Sequence, residues 1–590
     1  MALLHQPLGR QLRPRPRLTS QRIRNAAVAL ALCLTILYFL ARPTPPDEVA
    51  LLEQHMNAGP PLHPISVVKS SIDWGRIAPR HPPRARPVQL PRHAPGRGPR
   101  RPRIQHRFGK ETAEERQTRE ARREAVRDLT RKCWDSYRRY AWKQDALLPL
   151  SKAGRDQFSG WAATLVDSLD TLWMMGLREE FDEAVAAVAE IDFGNSSTPQ
   201  VNIFETNIRY LGGLMAAYDL SGRAVLLEKA VELGDLIYAG FDTENRMPVD
   251  NINVEAAAEG LGLWVENSVV SASPGTLTLE MTRLSQITGD PKYYDAITGI
   301  VDLFFRGQNQ TALPGLFPMF VSMSRQDVTT GATFTLGGCA DSLYEYFPKL
   351  HALLGGVGGP QLPFLTRGFM DAAKRHLFFR PMLPPTDTPT PDILLPGNVN
   401  VDANLIAHLD PETEHLACFI GGTFALAGRL FATEADVAVG ARLTRGCVYA
   451  YRAFPTGLMP ERLNTYKPHL PRGFTTAKDP RYILRPEAIE SVFYLWRITG
   501  EAEWREAAWD MFVAVARATA TETGSAAVLD VTVDVERGGR VPLEDYMESF
   551  WIAETLKYFY LIFSPPDLIS LDKYVLNTEA HPFLLPQPQP

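Results

Sequence analysis

Three joints in the chain share one design. LMAAYDLSGRAVLLEKAVEL breaks at Ser221-Gly222, LSQITGDPKYYDAI at Thr288-Gly289 and FYLWRITGEAEWREAAW at Thr499-Gly500. Each is an apolar helix, a Ser/Thr-Gly stop, a few polar residues and a second amphipathic helix. Glycine ends a helix in the left-handed conformation without steric penalty, and the 3.6-residue apolar period gives each helix a face that must be buried. An isolated αα-hairpin cannot cover that face, so successive hairpins stack into an open solenoid or a closed toroid. Spacing does not choose between the two. The pattern runs from about Lys110, where KETAEERQTREARREAVRDLTRKCWDSYRRYAW sets Ala125, Leu129, Cys133, Trp134 and Tyr137 at helical spacing, to about Ser564. Strand signals are few. The alternating valines of AVLDVTVDVE, Ala527 to Glu536, before Gly538-Gly539 predict a local hairpin, and the closing LDKYVLNTEAHPFLLP is too irregular for a helix.

Upstream of the hairpins the character is different. Residues 26–41, AAVALALCLTILYFLA, form an apolar run preceded by Arg10, Arg13, Arg15, Arg17, Arg22 and Arg24. The positive flank places residues 1–25 in the cytosol and predicts a type II anchor at 26–41, short enough for a thin early-secretory bilayer. A cleaved signal peptide is disfavoured by the long arginine-rich flank and the lack of a small-x-small cleavage site. Residues 42–110, rich in Pro and Arg as in RHPPRARPVQLPRHAPGRGPRRPR, read as a solvated, disordered stem. Residues 111–590 then form the lumenal folded domain. Its sequons are Asn195-Ser196-Ser197 and Asn309-Gln310-Thr311. The basic residues concentrate at the N-terminus while the net charge is -5, so the folded part is not a nucleic-acid binder.

Chemistry resides in where the carboxylates fall. VDSLDTLWMMGL, NIFETNIRYLGGL, TLTLEMTRL, ADSLYEYFPK, TGLMPERL, LRPEAIESVFYLWR, MESFWIAETLKY and NTEAHP all set acids among aromatic, Gly and Arg residues. A carboxylate in such surroundings is costly unless paired or used. Glu205 and Arg209 share a helical face, and Glu487 opens a helix behind Pro486. One such pair would merely tie two helices together. Many, converging from successive hairpins, suit a polyhydroxylated substrate: one acid protonates a leaving oxygen, a second activates water and others grip hydroxyls. The chain has no G-x-S-x-G, Walker A, dinucleotide fingerprint or H-E-x-x-H. Nor does any CxxC or Cys/His cluster suggest zinc. Cys133, Cys339, Cys418 and Cys447 follow the apolar run, and four cysteines allow three pairings.

From about Arg119 to Pro582 these segments, with YAWKQDALLPLSK, resemble class I α-mannosidases, glycoside hydrolase family 47. LVDSLDTLWMMGL, FETNIRYLGGL, LRPEAIES and NTEAHP are each long enough to be specific. The resemblance implies an all-α (αα)7 barrel, a toroid of αα-hairpins closed at one end by a small β-hairpin, that hydrolyses terminal α-1,2-linked mannose of high-mannose N-glycans with inversion. It gives Glu205 the place of an acid acting through a water, with Asp341 a rival for that role. It makes Glu487 the base and Glu461 a further catalytic position. Arg209, Glu280, His415, Arg485, Glu490, Phe550, Glu554 and Glu579 match the shell around the sugar. Thr578 matches the sole direct protein ligand of Ca2+, whose sphere is completed by waters and the sugar's 2- and 3-hydroxyls. It also implies that Cys418 pairs with Cys447.

One position departs from the family pattern. Two residues before the Asp of the DSxYEY motif, members carry Arg or Leu, a choice that bears on which glycan branch is trimmed; this chain has Cys339, uncharged like Leu. The resemblance implies an ER or Golgi setting, in N-glycan processing and glycoprotein quality control, and no retrieval tetrapeptide ends the sequence. Two other readings use the same barrel: a mannose-glycan-binding protein of ER-associated degradation, and a glucan-cleaving glycosidase. Relatives of the first kind generally lack the paired cysteines.

Overall fold

The computed structural model describes residues 59, 61–82, 84–91, 102–383, 387, 389–464 and 476–586. The apolar run at 26–41 lies outside them, and among the described residues no helix is long and apolar enough to cross a membrane.

The three glycine stops form as the sequence predicts. Gly222, Gly289 and Gly500 end their helices at φ of 68°, 73° and 72°. The hairpins close into a toroid. Its inner wall comprises Ala163–Asp167 with Leu169–Met174, Thr206–Leu211 with Gly212–Ser221, Leu277–Thr288, Asp341–Leu353, Ile420–Leu430, Glu487–Thr499, and Trp551–Thr555 with Leu556–Ile562. Each segment packs on the next, and Trp551–Thr555 returns to both Ala163–Asp167 and Leu169–Met174, so the ring has seven inner members. Outside them lie Ala113–Tyr140, Arg178–Val188, Ala224–Ala239, Pro291–Gly307, Gln361–His376, Glu434–Ala453 and Ala502–Ala518, each against one or two inner segments.

Burial follows from position. An inner helix has neighbours all round, and Glu487–Thr499 is buried without a break from Ala488 to Ile498, whereas the outer helix beside it, Ala502–Ala518, buries one face only. Some helices approach so closely that only glycine fits. A Cβ on Gly440 would stand 2.5 Å from the Gly421 carbonyl oxygen, and one on Gly421 would stand 2.3 Å from Thr444 Oγ1. Cys418 and Cys447 form a disulfide across the same helix pair, while Cys133 and Cys339 are free.

Of the two expectations about strands, one is met and one is not. The irregular C-terminal stretch forms an antiparallel hairpin, Tyr574–Leu576 against Pro582–Leu584. Its NTEAH loop enters the ring, where Asn577 Nδ2 donates to the Ile208 carbonyl (3.1 Å) and to Glu280 (2.9 Å). The hairpin predicted at 527–536 does not form. Asp530 Oδ1 accepts the Thr532 N–H (2.8 Å) and Asp534 Oδ1 the Arg537 N–H (3.1 Å), so the aspartates turn the backbone aside, and Val528 makes only isolated bridges to Tyr482 and Leu543.

The stem is the larger correction. Composition predicts a solvated spacer over 42–110, but its described residues lie along the outside of the toroid. Their backbone N–H groups donate to a series of aspartates: Leu62 to Asp182 (2.9 Å), Ser71 to Asp192 (2.8 Å), Arg80 and His81 to Asp242 (2.7 and 2.6 Å), Val88 to Asp295 (2.8 Å) and Ile104 to Asp572 (2.7 Å). Trp74, 5% exposed, packs with its short 3-10 turn against Ala224–Ala239. The first long helix starts at Ala113 behind a capping box, in which Glu115 N–H donates to Thr112 Oγ1 (3.2 Å) and Thr112 N–H to Glu115 (2.8 Å).

Candidate active site

The starts of six inner segments border one cavity of about 380 Å³, touched by Glu205, Ser273, Asp341, Phe419, Glu487 and Phe550. Residues far apart in sequence meet there because those helices begin at the same end of the ring. Helix N-termini favour negative charge, which suits carboxylates at these places. Of the residues singled out from the sequence, Glu205, Arg209, Asp341, Arg485, Glu487, Glu490, Phe550, Glu554, Thr578 and Glu579 line the cavity, as does Cys339.

Local backbone departs from ideal where these side chains are aimed. Asn202 caps the Glu205 turn, accepting the Glu205 N–H (2.9 Å). The helix then widens to a π turn at Thr206–Leu211, which carries Arg209, and another at Trp551–Thr555 carries Glu554. Leu484 and Cys339 hold φ of 68° and 79°, immediately before Arg485 and two residues before Asp341, a strained conformation for residues with a side chain.

The carboxyls hold protons with very different strengths. Burial opposes ionisation of Glu487, but His415 Nδ1 at 2.8 Å and the Arg485 guanidinium at 3.8 Å outweigh it and hold Glu487 below the usual carboxylate range. Asp341 is pushed up to about 7 by burial and by the charges of Glu487 and Glu345. Glu205 is ion-paired to Arg209 Nε at 2.7 Å, and Arg209 also reaches Glu579 at 3.1 Å. On the floor, burial raises Glu490, Glu554 and Glu579, helped for Glu490 by the charge of Glu345 and for Glu554 by that of Glu579. The Phe550 ring has the Arg209 guanidinium 5.8 Å and the Arg485 guanidinium 5.6 Å from its centroid. Thr578, at the tip of the C-terminal hairpin, donates its N–H to the Tyr346 hydroxyl (3.2 Å).

Three of the singled-out residues stand behind the cavity wall. His415 is fully buried between Glu487 and the Tyr451 hydroxyl (2.8 Å). Glu461 pairs with Arg485 Nε at 3.0 Å. Glu280 accepts from Tyr346 (2.6 Å), Asn577 (2.9 Å) and Asn207 (2.8 Å), and burial pushes it up to about 7. They orient the residues that line the cavity.

Two acids not singled out from the sequence belong to the site. Glu345 lines the cavity one helical turn after Asp341 and pairs with Lys349. Glu548, two residues before Phe550, is pushed up to about 7 by burial and by Glu205 and Glu461, against the pull of Arg209 and Arg485. The i, i+4 step from Asp341 was the available signal for Glu345. For Glu548 only its place in MESFW pointed this way.

The model of the glycosyl hydrolase family 47 matches residues 129–585. The chain is 35% identical over 472 residues to mannosyl-oligosaccharide 1,2-alpha-mannosidase MNS1 of Arabidopsis thaliana, covering 78% of each chain. It is 34% identical over 472 residues to the endoplasmic reticulum mannosyl-oligosaccharide 1,2-alpha-mannosidase of Homo sapiens, covering 78% of this chain and 64% of that one. Among solved structures, the alpha-1,2-mannosidase from Trichoderma reesei superposes with a TM-score of 0.71 at 29% identity, covering 79% of this chain and 99% of that one. The chain belongs to glycosyl hydrolase family 47, a family of glycosidases.

Proposed function

We propose that the protein is a calcium-dependent, inverting α-1,2-mannosidase. It removes terminal α-1,2-linked mannose from high-mannose N-glycans in the ER or Golgi lumen, held there by the apolar run at 26–41 as a type II anchor, and serves N-glycan processing and glycoprotein quality control. One observation carries the catalytic reading: a single cavity holds a carboxylate kept ionised, Glu487, and a carboxyl pushed up to about 7, Asp341. Opposed proton affinities at one site are what glycoside hydrolysis requires. Mannose as the substrate is supported by the names of the Arabidopsis and human relatives, and the ER by the latter.

In this reading Glu487 takes a proton from water as the water attacks the anomeric carbon. The glycosidic C–O bond breaks and its oxygen is protonated from the acid side, so the mannose leaves with inverted configuration. Glu205 is the acid, delivering its proton through a water, with Arg209 fixing its carboxyl. A second assignment is favoured by the proton affinity of Asp341, which matches a donor at neutral pH. Phe550 offers an apolar face to the ring, and Arg485 with the floor carboxyls grips hydroxyls.

The residues present suit calcium. Thr578, a residue with a hydroxyl and a carbonyl oxygen to offer a hard cation, lines the cavity together with the buried carboxyls Glu490, Glu554 and Glu579, whose crowding favours a cation among them. Bound there, calcium would supply a hard Lewis acid toward sugar hydroxyls. The test is incubation of the protein with a high-mannose glycan, with calcium and with chelator. Mannose released only with calcium is the expected result; glycan bound but not cleaved with calcium present would make the protein a lectin on this barrel.

A further inference from the structure

Behind Arg209 lies a buried chain of charges that the reaction scheme does not use. His581, in the NTEAH loop, is flanked by two carboxylates of the first inner segment: Nε2 lies 3.0 Å from Asp167 and Nδ1 lies 3.1 Å from Asp170. Lys557, from the last inner segment, donates to Asp170 (2.8 Å) and to the Ala580 carbonyl (2.9 Å). All four side chains are at most 1% exposed. An imidazole with a carboxylate at each nitrogen donates from both, which requires the charged form. Burial opposes that charge, but the two aspartates prevail and His581 is raised above the ordinary histidine value.

The chain continues into the site. The other oxygen of Asp167 accepts from Ser549 Oγ (2.5 Å), and Ser549 Oγ accepts from Arg209 Nη1 (3.1 Å). Arg209 itself stands 3.7 Å from Asp167 but 2.7 Å from Glu205. Asp167 and Glu205 therefore compete for one guanidinium, with Glu579 as its third partner and Glu548 nearby. Without a cation of its own, the buried Asp167 charge draws Arg209 inward, away from Glu205.

We infer that His581 is a positioning residue for the acid side of the site: its imidazolium neutralises Asp167 from behind, leaving Arg209 to hold the Glu205 carboxyl toward the glycosidic oxygen. The inference rests on Glu205 taking part in the reaction, and Glu205→Gln tests that separately.

The experiment measures kcat, KM and Tm on the calcium-loaded enzyme with a high-mannose glycan. His581→Gln is expected to lower kcat by about 30-fold with KM within about threefold, as misplacement of a reacting group does. Adding Asp167→Asn removes the competing charge, and Asp167→Asn/His581→Gln is expected to recover kcat to within about fivefold of wild type. A purely structural histidine predicts the reverse, a double variant at least as slow as the single one and lower in Tm. Should His581→Gln fail to fold, Ser549→Ala makes the same test with a smaller change. Loss of the hydroxyl that separates Arg209 from Asp167 lowers kcat about tenfold, and Asp167→Asn restores it. A folded His581→Gln or Ser549→Ala enzyme with kcat within twofold of wild type, or a double variant that shows no recovery, overturns the inference. Unchanged turnover in Glu205→Gln overturns the reading of Glu205 instead.

Discussion

Glu487 and Asp341 are both partly buried acids at the starts of inner helices, yet their neighbours separate them. Glu487 faces a histidine and an arginine; Asp341 faces Glu487 and Glu345. In the proposed reaction the first must be ionised and the acid side protonated, so the rate falls as pH drops through the lowered value of Glu487 and again as pH rises. If Asp341 supplies the proton, the alkaline limb lies near 7 and disappears in Asp341→Asn; if Glu205 supplies it, that limb is lost in Glu205→Gln instead. Replacing His415 with Phe removes a bond that favours ionised Glu487, so the acid limb moves to higher pH in a pH–kcat/KM profile. Glu487→Gln lowers kcat by about 10²- to 10⁴-fold, with glycan binding retained. Sequence made the residues lining the cavity legible because each sits in a long motif. The layer behind was less so: nothing in TGLMPERL shows that Glu461 turns to Arg485 rather than to the substrate, because that depends on two segments distant in sequence meeting in space.

Among the elements, three hairpins were legible because one residue type, glycine at a positive φ, marks each of their stops; the closed toroid was legible only through the family resemblance, because closure depends on the first and last inner segments meeting. The predicted hairpin at 527–536 failed on its aspartates, whose side chains bond the backbone locally before any strand can pair. The disulfide between Cys418 and Cys447, 29 positions apart, lies beside the close glycine contact of Gly421 with Gly440. Changing both to Ser should cost about 3 kcal/mol in denaturant unfolding, with kcat of the surviving folded enzyme little altered. Gly440→Val, which drives a side chain into the Gly421 carbonyl, should cost about as much or more and lower expression.

For the whole molecule, the N-terminal segment matters most. It lies outside the family match at 129–585, yet described residues between 61 and 91 hydrogen-bond to aspartates on the outer helices or in the loops just after them. Composition averages over a stretch and cannot show that each N–H has a particular aspartate more than a hundred positions away; that is why the stem read as solvated. A chain starting at residue 102 should keep its kcat and melt several degrees below one starting at residue 57, since burial of Trp74 alone is worth about 2–3 kcal/mol. Charge sets a second property at this scale. Asp341, Glu280 and Glu548 are each pushed up to about 7 in the folded state, from ordinary values of 3.8, 4.5 and 4.5. The fold therefore holds protons that the unfolded chain has released, and the stability they contribute is complete below about 4 and lost as pH rises through about 7. Melting in chelator should accordingly fall from about pH 5 to about pH 8, and calcium should oppose the fall at the upper end. Whether paired carboxyls in this barrel cleave α-1,2-mannose by a single displacement is decided by proton NMR of the first mannose released from a high-mannose glycan. β-Mannose should appear first, with the α anomer growing in only by mutarotation; α-mannose as the first product, or none at all with calcium present, would overturn the single-displacement mechanism.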